Sequence, residues 1–152
     1  MEITSEMVKE LREKTGISVM ECKKALTEAG GDMDKALAVL RERSIAMAGK
    51  KSDRELGAGT VGSYVHNSAQ VGAMVVLNSE TDFVSKNDEF VALARDLAMH
   101  ISAMQPADQA ELLLQPYIKD PSKTIEGLLN EATQKFGERV AVGDFSRFSV
   151  KA

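Results

Sequence analysis

Cysteine, histidine, paired carboxylates and a glycine-rich turn are the residues here whose chemistry would be useful, and each is placed poorly for it. The single cysteine, Cys22, falls on an apolar stripe at helical spacing with no histidine or second cysteine near it in sequence. A buried structural thiol is expected there rather than a nucleophile. His66 sits at the tip of a β-rich pair of segments, where it is either a solvated loop residue or a partner contact. His100 lies on the edge of a helical stripe and is expected to be a boundary residue hydrogen-bonded at a sheet edge. No pair of His, Cys or carboxylate side chains has ligand spacing, so neither a metal nor another cofactor is expected. Asp88-Glu89 opens a helix, where acids complement the helix dipole. Gly57-Ala-Gly59-Thr-Val-Gly62 fits the spacing of a dinucleotide-binding turn. It follows a charged stretch instead of a strand and enters a β-rich run instead of a helix, so no helix N-terminus would face a phosphate. With no catalytic constellation in view, the chain is not expected to be an enzyme.

Two apolar features call for a different kind of explanation. SETDFVSKNDEF (residues 79–90) puts Phe83 on a polar corner, with no apolar residue before it until Leu77. Phe83 is either tucked beneath that corner or held out for a partner. In a chain with five Phe, two Tyr and no Trp, one aromatic matters. The other feature is Ile17, Val19 and Met20 beside Lys23 and Lys24, an apolar knob with a basic rim that suits a protein contact.

Composition limits the partners. The 152 residues carry a net charge of −4, which argues against nucleic acid as the main partner, since phosphate binding relies on clustered Lys and Arg. One cysteine permits no intrachain disulfide and points to a reducing compartment. MEITSEMVKELREK lacks the apolar core of a secretory leader, and no apolar run approaches membrane-spanning length. A cytoplasmic location is expected.

The elements that must position these residues can be read from their ends. Thr4 is a helix cap with Ile3 and Val8 as a hydrophobic staple, and that helix stops at Thr15-Gly16. Ser18 and Glu21 form a capping box for a second helix with the stripe Cys22, Ala25, Leu26, Ala29, ended by Gly30-Gly31. Asp32 caps a third with the stripe Met33, Ala36, Leu37, Leu40. The three form a mini-bundle, expected to occupy residues 1–50, with its helices within residues 4–43. Residues 51–58 read as a solvated linker. GTVGSYVH (59–66) and QVGAMVVLN (70–78) read as a β-hairpin whose second strand is apolar on both faces and needs cover on both. Asn87 caps a helix with the stripe Phe90, Leu93, Ala94, Leu97, Ile101, Met104, closed by Pro106. Residues 107–121 are ambiguous. Ile125, Leu128, Leu129, Ala132 and Phe136 mark another helix, ended by Gly137, and ERVAVGDFSRFSV closes as a strand with an irregularity at Gly143. The fold class is α+β, a three-helix module followed by a β-β-α-α-β core (59–152) with a small antiparallel sheet.

TGISVMECKKALTEAGGDMDKAL resembles the ubiquitin-associated-like module that opens bacterial elongation factor Ts. SETDFVSKNDEF resembles that family's Thr-Asp-Phe-Val signature, GSYVHNSAQVGAMVVLN its core hairpin, and DPSKTIEGLLNEATQKFG with FSRFSV its last helix and strand. The similarity covers nearly the whole chain, in the family's order, in a short form with one core subdomain. It implies guanine nucleotide exchange on elongation factor Tu during translation elongation. It further implies that Asp82 and Phe83, flanked by Thr81 and Val84, form a wedge that enters the GTPase near its magnesium and phosphate site. By the same resemblance His66 contacts the GTPase, Val19 and Met20 dock the small module on a GTPase helix beside Lys23, and Lys51 reaches the partner from the linker. Longer members carry two related core subdomains and a helical insertion where this chain has a short connection at 105–121. Short members behave as dimers, and an under-covered sheet leads to the same expectation of a homodimer. The alternative is a non-catalytic module that holds a peptide or protein on the three-helix bundle.

Overall fold

The computed structural model describes residues 2–151. Its elements follow in the order α1 (Ser5–Thr15), α2 (Val19–Glu28), α3 (Met33–Lys50), β1 (Ala58–Val65), β2 (Val71–Ser79), α4 (Asp82–Ser85), α5 (Asp88–Met104), α6 (Gln109–Leu114), β3 (Pro116–Tyr117), β4 (Asp120–Thr124), α7 (Ile125–Phe136) and β5 (Ala141–Ser149). Thr4, Ser18 and Asp32 cap the first three helices by accepting the amides of Met7, Glu21 and Lys35. Each satisfies a donor that a helix start otherwise leaves without a partner. Gly30 and Gly31, at φ 63° and 87°, turn the chain between α2 and α3 in a conformation that side chains disfavour. Leu11, Ile17, Cys22, Leu26, Ala36 and Leu40 then close a core of their own.

The helix α3 continues to Lys50, past the apolar stripe that ends near residue 43. Its second half has another neighbour. Ser44 is buried and donates to Gln134 Oε1 on α7, so α3 lies along the core helix as well as in its own bundle. Lys123 adds a second tie, pairing with Glu131 at 2.8 Å while donating to the Lys14 carbonyl at the end of α1. Burial pushes the Glu131 carboxyl above its ordinary pKa, and Lys123 holds it back.

The sheet is antiparallel, in the order β1-β2-β5. Ala73, Val75 and Leu77 of β2 face inward on Phe90, Ala94, Leu97 and Ile101 of α5. Gly62 explains how close α5 lies: a Cβ there would fall 2.3 Å from the Ala94 carbonyl oxygen, so the helix rests on the bare backbone of β1. Val75 opposes Phe145 and Leu77 opposes Val142, so β5 carries its irregularity at Gly143-Asp144, where the glycine suggested it.

Residues 105–124 hold elements too short for periodicity to reveal, namely α6 and the β3–β4 hairpin. Their organiser is His100, which is fully buried and does not lie at the edge of the main sheet. Its Nε2 is 2.9 Å from Gln115 Oε1 and its Nδ1 accepts the Ile118 amide at 3.1 Å. Met104, expected to end the inner stripe, is exposed beyond it. The opposite face of the sheet is uncovered, with Val61, Val65, Met74 and Phe148 all exposed. Among the described residues no helix is long and apolar enough to cross a membrane.

Candidate partner-binding site

The corner between β2 and α5 places two neighbouring side chains in opposite environments. Phe83 is 87% exposed, and Val84, the next residue, is 5% exposed and packs in the core. The two cannot share a face on the single turn of α4, and burying the valine drives the phenylalanine outward. Of the two positions open to Phe83, the structure has it projecting.

That projection is supported from both sides. Ser79 is fully buried and its hydroxyl donates to the Thr81 carbonyl at 3.0 Å. Past Phe83, Ser85 is buried and its hydroxyl donates to the Asp82 carbonyl at 3.2 Å, and Asn87 starts α5 by accepting the Glu89 amide. Between these anchors Asp82 and Thr81 are exposed. Glu80 and Thr81 also bond to Glu138, from the turn between α7 and β5. Sequence reasoning missed Glu138; its only signal was a carboxylate following the glycine that stops a helix.

The other singled-out residues form separate groups. Val19 and Met20 lie exposed on the first turn of α2, Met20 at 77%. Val19 borders a groove with Ile3 and Val8, rimmed by Lys9, Arg12 and Lys23. Ile17 does not join them. It is buried in the bundle core, so the knob is narrower than its three neighbouring apolar residues suggested. Lys51 follows α3 directly; its carbonyl accepts the Arg54 amide, and Arg54 pairs with Glu80 at the corner. His66 is exposed at the far end of the hairpin, its Nδ1 3.2 Å from the Tyr64 hydroxyl. Ser79 pairs with Ala58 at one end of β1–β2 and Gly72 with Val65 at the other, so His66 and the corner are separated by roughly 20–25 Å along the strands.

Cys22 is buried, its thiol pushed above the ordinary pKa by desolvation against a lowering hydrogen bond from Thr15. Among the described residues no three His, Cys, Asp or Glu side chains are gathered to hold a metal ion. What the site offers is a supported exposed aromatic beside a carboxylate.

Comparison with known proteins gives a consistent result. A family model described as Elongation factor TS matches residues 2–108 and 80–152. A protein named Elongation factor Ts from Acetivibrio thermocellus is 40% identical over 191 residues, covering 96% of this chain and 89% of its own length. One of the same name from Leptospira biflexa is 41% identical over 195 residues, covering 99% and 98%. Another, from Desulforamulus reducens, is 40% identical over 194 residues, covering 98% and 89%. These alignments are longer than the 152 residues of the chain, so the relatives have segments with no counterpart here.

Proposed function

Because the chain belongs to the elongation factor Ts family, we propose that it promotes GDP release from elongation factor Tu by presenting Asp82 and Phe83 near the GTPase's magnesium and phosphate site. The observation that carries this reading is the exposure of Phe83 on a corner anchored at both ends. The backbone that carries the ring is anchored on both sides, so binding has less of the chain left to order than on a free loop. Thr81 borders the pair and Val84 secures it from the core. His66 adds a contact at the far end of the hairpin, Val19, Met20 and Lys23 dock the N-terminal module, and Lys51 reaches across from the turn after α3. The protein would act in the cytoplasm with its GTPase.

Magnitudes require several contacts. A GTPase holding nucleotide at nanomolar affinity does so with about 12 kcal/mol. Burying one phenylalanine returns about 2–3 kcal/mol. The module, the hairpin and a second copy of the chain must therefore supply the rest of the stabilisation of the nucleotide-free GTPase. The uncovered sheet face bearing Val61, Val65, Met74 and Phe148 is where that second copy would pack. Exchange needs no covalent step. Linkage makes it reciprocal: protein that weakens GDP binding is itself bound more weakly when GDP is present.

The test is the release of a fluorescent GDP analogue from elongation factor Tu, chased with excess GDP. Release accelerates with increasing protein and saturates. An unchanged release rate at concentrations where the two proteins associate would refute exchange.

A further inference from the structure

Glu138, the residue after the glycine that ends α7, spends its whole carboxylate on the corner that carries Phe83. One oxygen accepts the amides of Glu80 at 3.1 Å and Thr81 at 3.0 Å, and the other accepts the Thr81 hydroxyl at 2.6 Å. The grip is returned. Glu80 accepts the Arg139 amide at 2.6 Å and pairs with Arg54 at 3.4 Å, while the Arg139 guanidinium donates to the Arg54 carbonyl at 2.8 Å. Glu138 thus holds the backbone of Glu80, Glu80 holds the amide that follows Glu138, and Arg54 and Arg139 close the ring.

This arrangement answers a need that the rest of the corner leaves open. A four-residue helix is little more than one turn, and a single turn does not hold its own direction. Burial of Val84 and Ser85 fixes only its far side. Thr81 stands at the cap position of α4, yet its hydroxyl makes no capping bond, being committed to Glu138. Without Glu138, two amides and a hydroxyl would turn to water and residues 80–82 would be free to sample other directions. We propose that Glu138 is a positioning residue for nucleotide exchange: its carboxylate sets the backbone of Glu80 and Thr81 so that Asp82 and Phe83 are presented in one direction. This inference rests on the exchange reading above.

The test compares Glu138→Ala and Glu138→Gln with the unaltered chain. In the free protein, hydrogen exchange at the Glu80 and Thr81 amides quickens about tenfold or more in Glu138→Ala, while the Leu97 and Ile101 amides of α5 keep their protection. With elongation factor Tu, the saturating rate of GDP release falls about tenfold, and the concentration giving half that rate stays within about twofold. Glu138→Gln, which keeps an acceptor for the amides, lies between the two. Glu138→Ala slows the Phe83→Ala protein less than it slows the unaltered chain, because only Asp82 remains to be aimed. An undiminished saturating rate in Glu138→Ala, unchanged exchange at the two amides, or losses that multiply in the double variant would each overturn the inference. Should Glu138→Ala fail to fold, a Glu138→Gln rate equal to that of the unaltered chain does the same, and a lower one supports the inference. An unaltered chain that leaves GDP release unchanged overturns the exchange reading and this inference together; an active one with unimpaired Glu138 variants overturns this inference alone.

Discussion

Phe83 and Val84 divide the labour of the corner between projection and anchorage, and their substitution to alanine separates the two. Phe83→Ala removes a side chain that is 87% exposed and leaves the melting temperature close to that of the unaltered protein. Val84→Ala opens a gap in the core and costs about 1–3 kcal/mol. Thermal denaturation followed by circular dichroism checks both, and the reverse order would mean that the ring is packed. His100 makes a second prediction at this scale. With the Ile118 amide on Nδ1, its proton sits on Nε2 facing Gln115, and a second proton would break the Ile118 bond. Burial lowers its pKa, and the Gln115 hydrogen bond opposes the shift without cancelling it. The unfolded chain therefore takes up the proton first on acidification. The stability this group contributes is complete above its ordinary pKa of 6.5 and is lost as pH falls through the depressed folded value. Urea unfolding at pH 7 and pH 5 shows a smaller loss for His100→Gln than for the unaltered protein; equal losses would remove His100 from that account.

At the scale of elements, α7 connects everything. Ile125, Leu129 and Ala132 bury one face in the core, Gln134 meets Ser44 of α3, and the turn that follows holds the corner. Deleting residues 1–50 should leave a core that still melts cooperatively, because the two hydrophobic clusters are built from separate stretches of chain. The core should melt at a lower temperature, since α7 loses α3, and dock more weakly on nucleotide-free elongation factor Tu. Loss of cooperative melting would show the two clusters to be one folding unit. Much of this architecture was legible in sequence because its signals are local. Thr4, Ser18, Asp32, Asn87 and Gly137 mark helix ends through bonds made within a few residues. Residues 105–124 were not legible. Pro106, Pro116 and Pro121 interrupt any period, and the short elements there are held by distant partners such as His100. The continuation of α3 was hidden for the same reason, its support being a helix late in the chain. Phe83 was conspicuous by type, but its exposure depends on Val84 being buried beneath α4. Glu138 lies 58 residues from the amide of Glu80 that it accepts, so nothing nearby in sequence announces the bond.

For the whole molecule, the exposed outer face of the sheet is the surface on which a second copy would pack. Val61, Val65, Met74 and Phe148 lie exposed on β1, β2 and β5, and Phe148, at 69% exposure, stands opposite Gly72 with no helix above it. A second copy of the chain would bury this face, so light scattering at micromolar concentration should give about twice the 16.5 kDa chain mass, and Met74→Glu should return it to the monomer value. A monomer mass for the unaltered protein would leave the exchange surface to be completed by the GTPase alone. If an exposed phenylalanine on an anchored corner drives GDP from elongation factor Tu, stopped-flow release of a fluorescent GDP analogue separates the unaltered protein from Phe83→Ala. The unaltered protein accelerates release, and Phe83→Ala, equally folded, loses about tenfold or more of the saturating rate while its affinity for nucleotide-free GTPase changes much less. A Phe83→Ala protein that releases GDP as fast as the unaltered one would contradict this role of the ring.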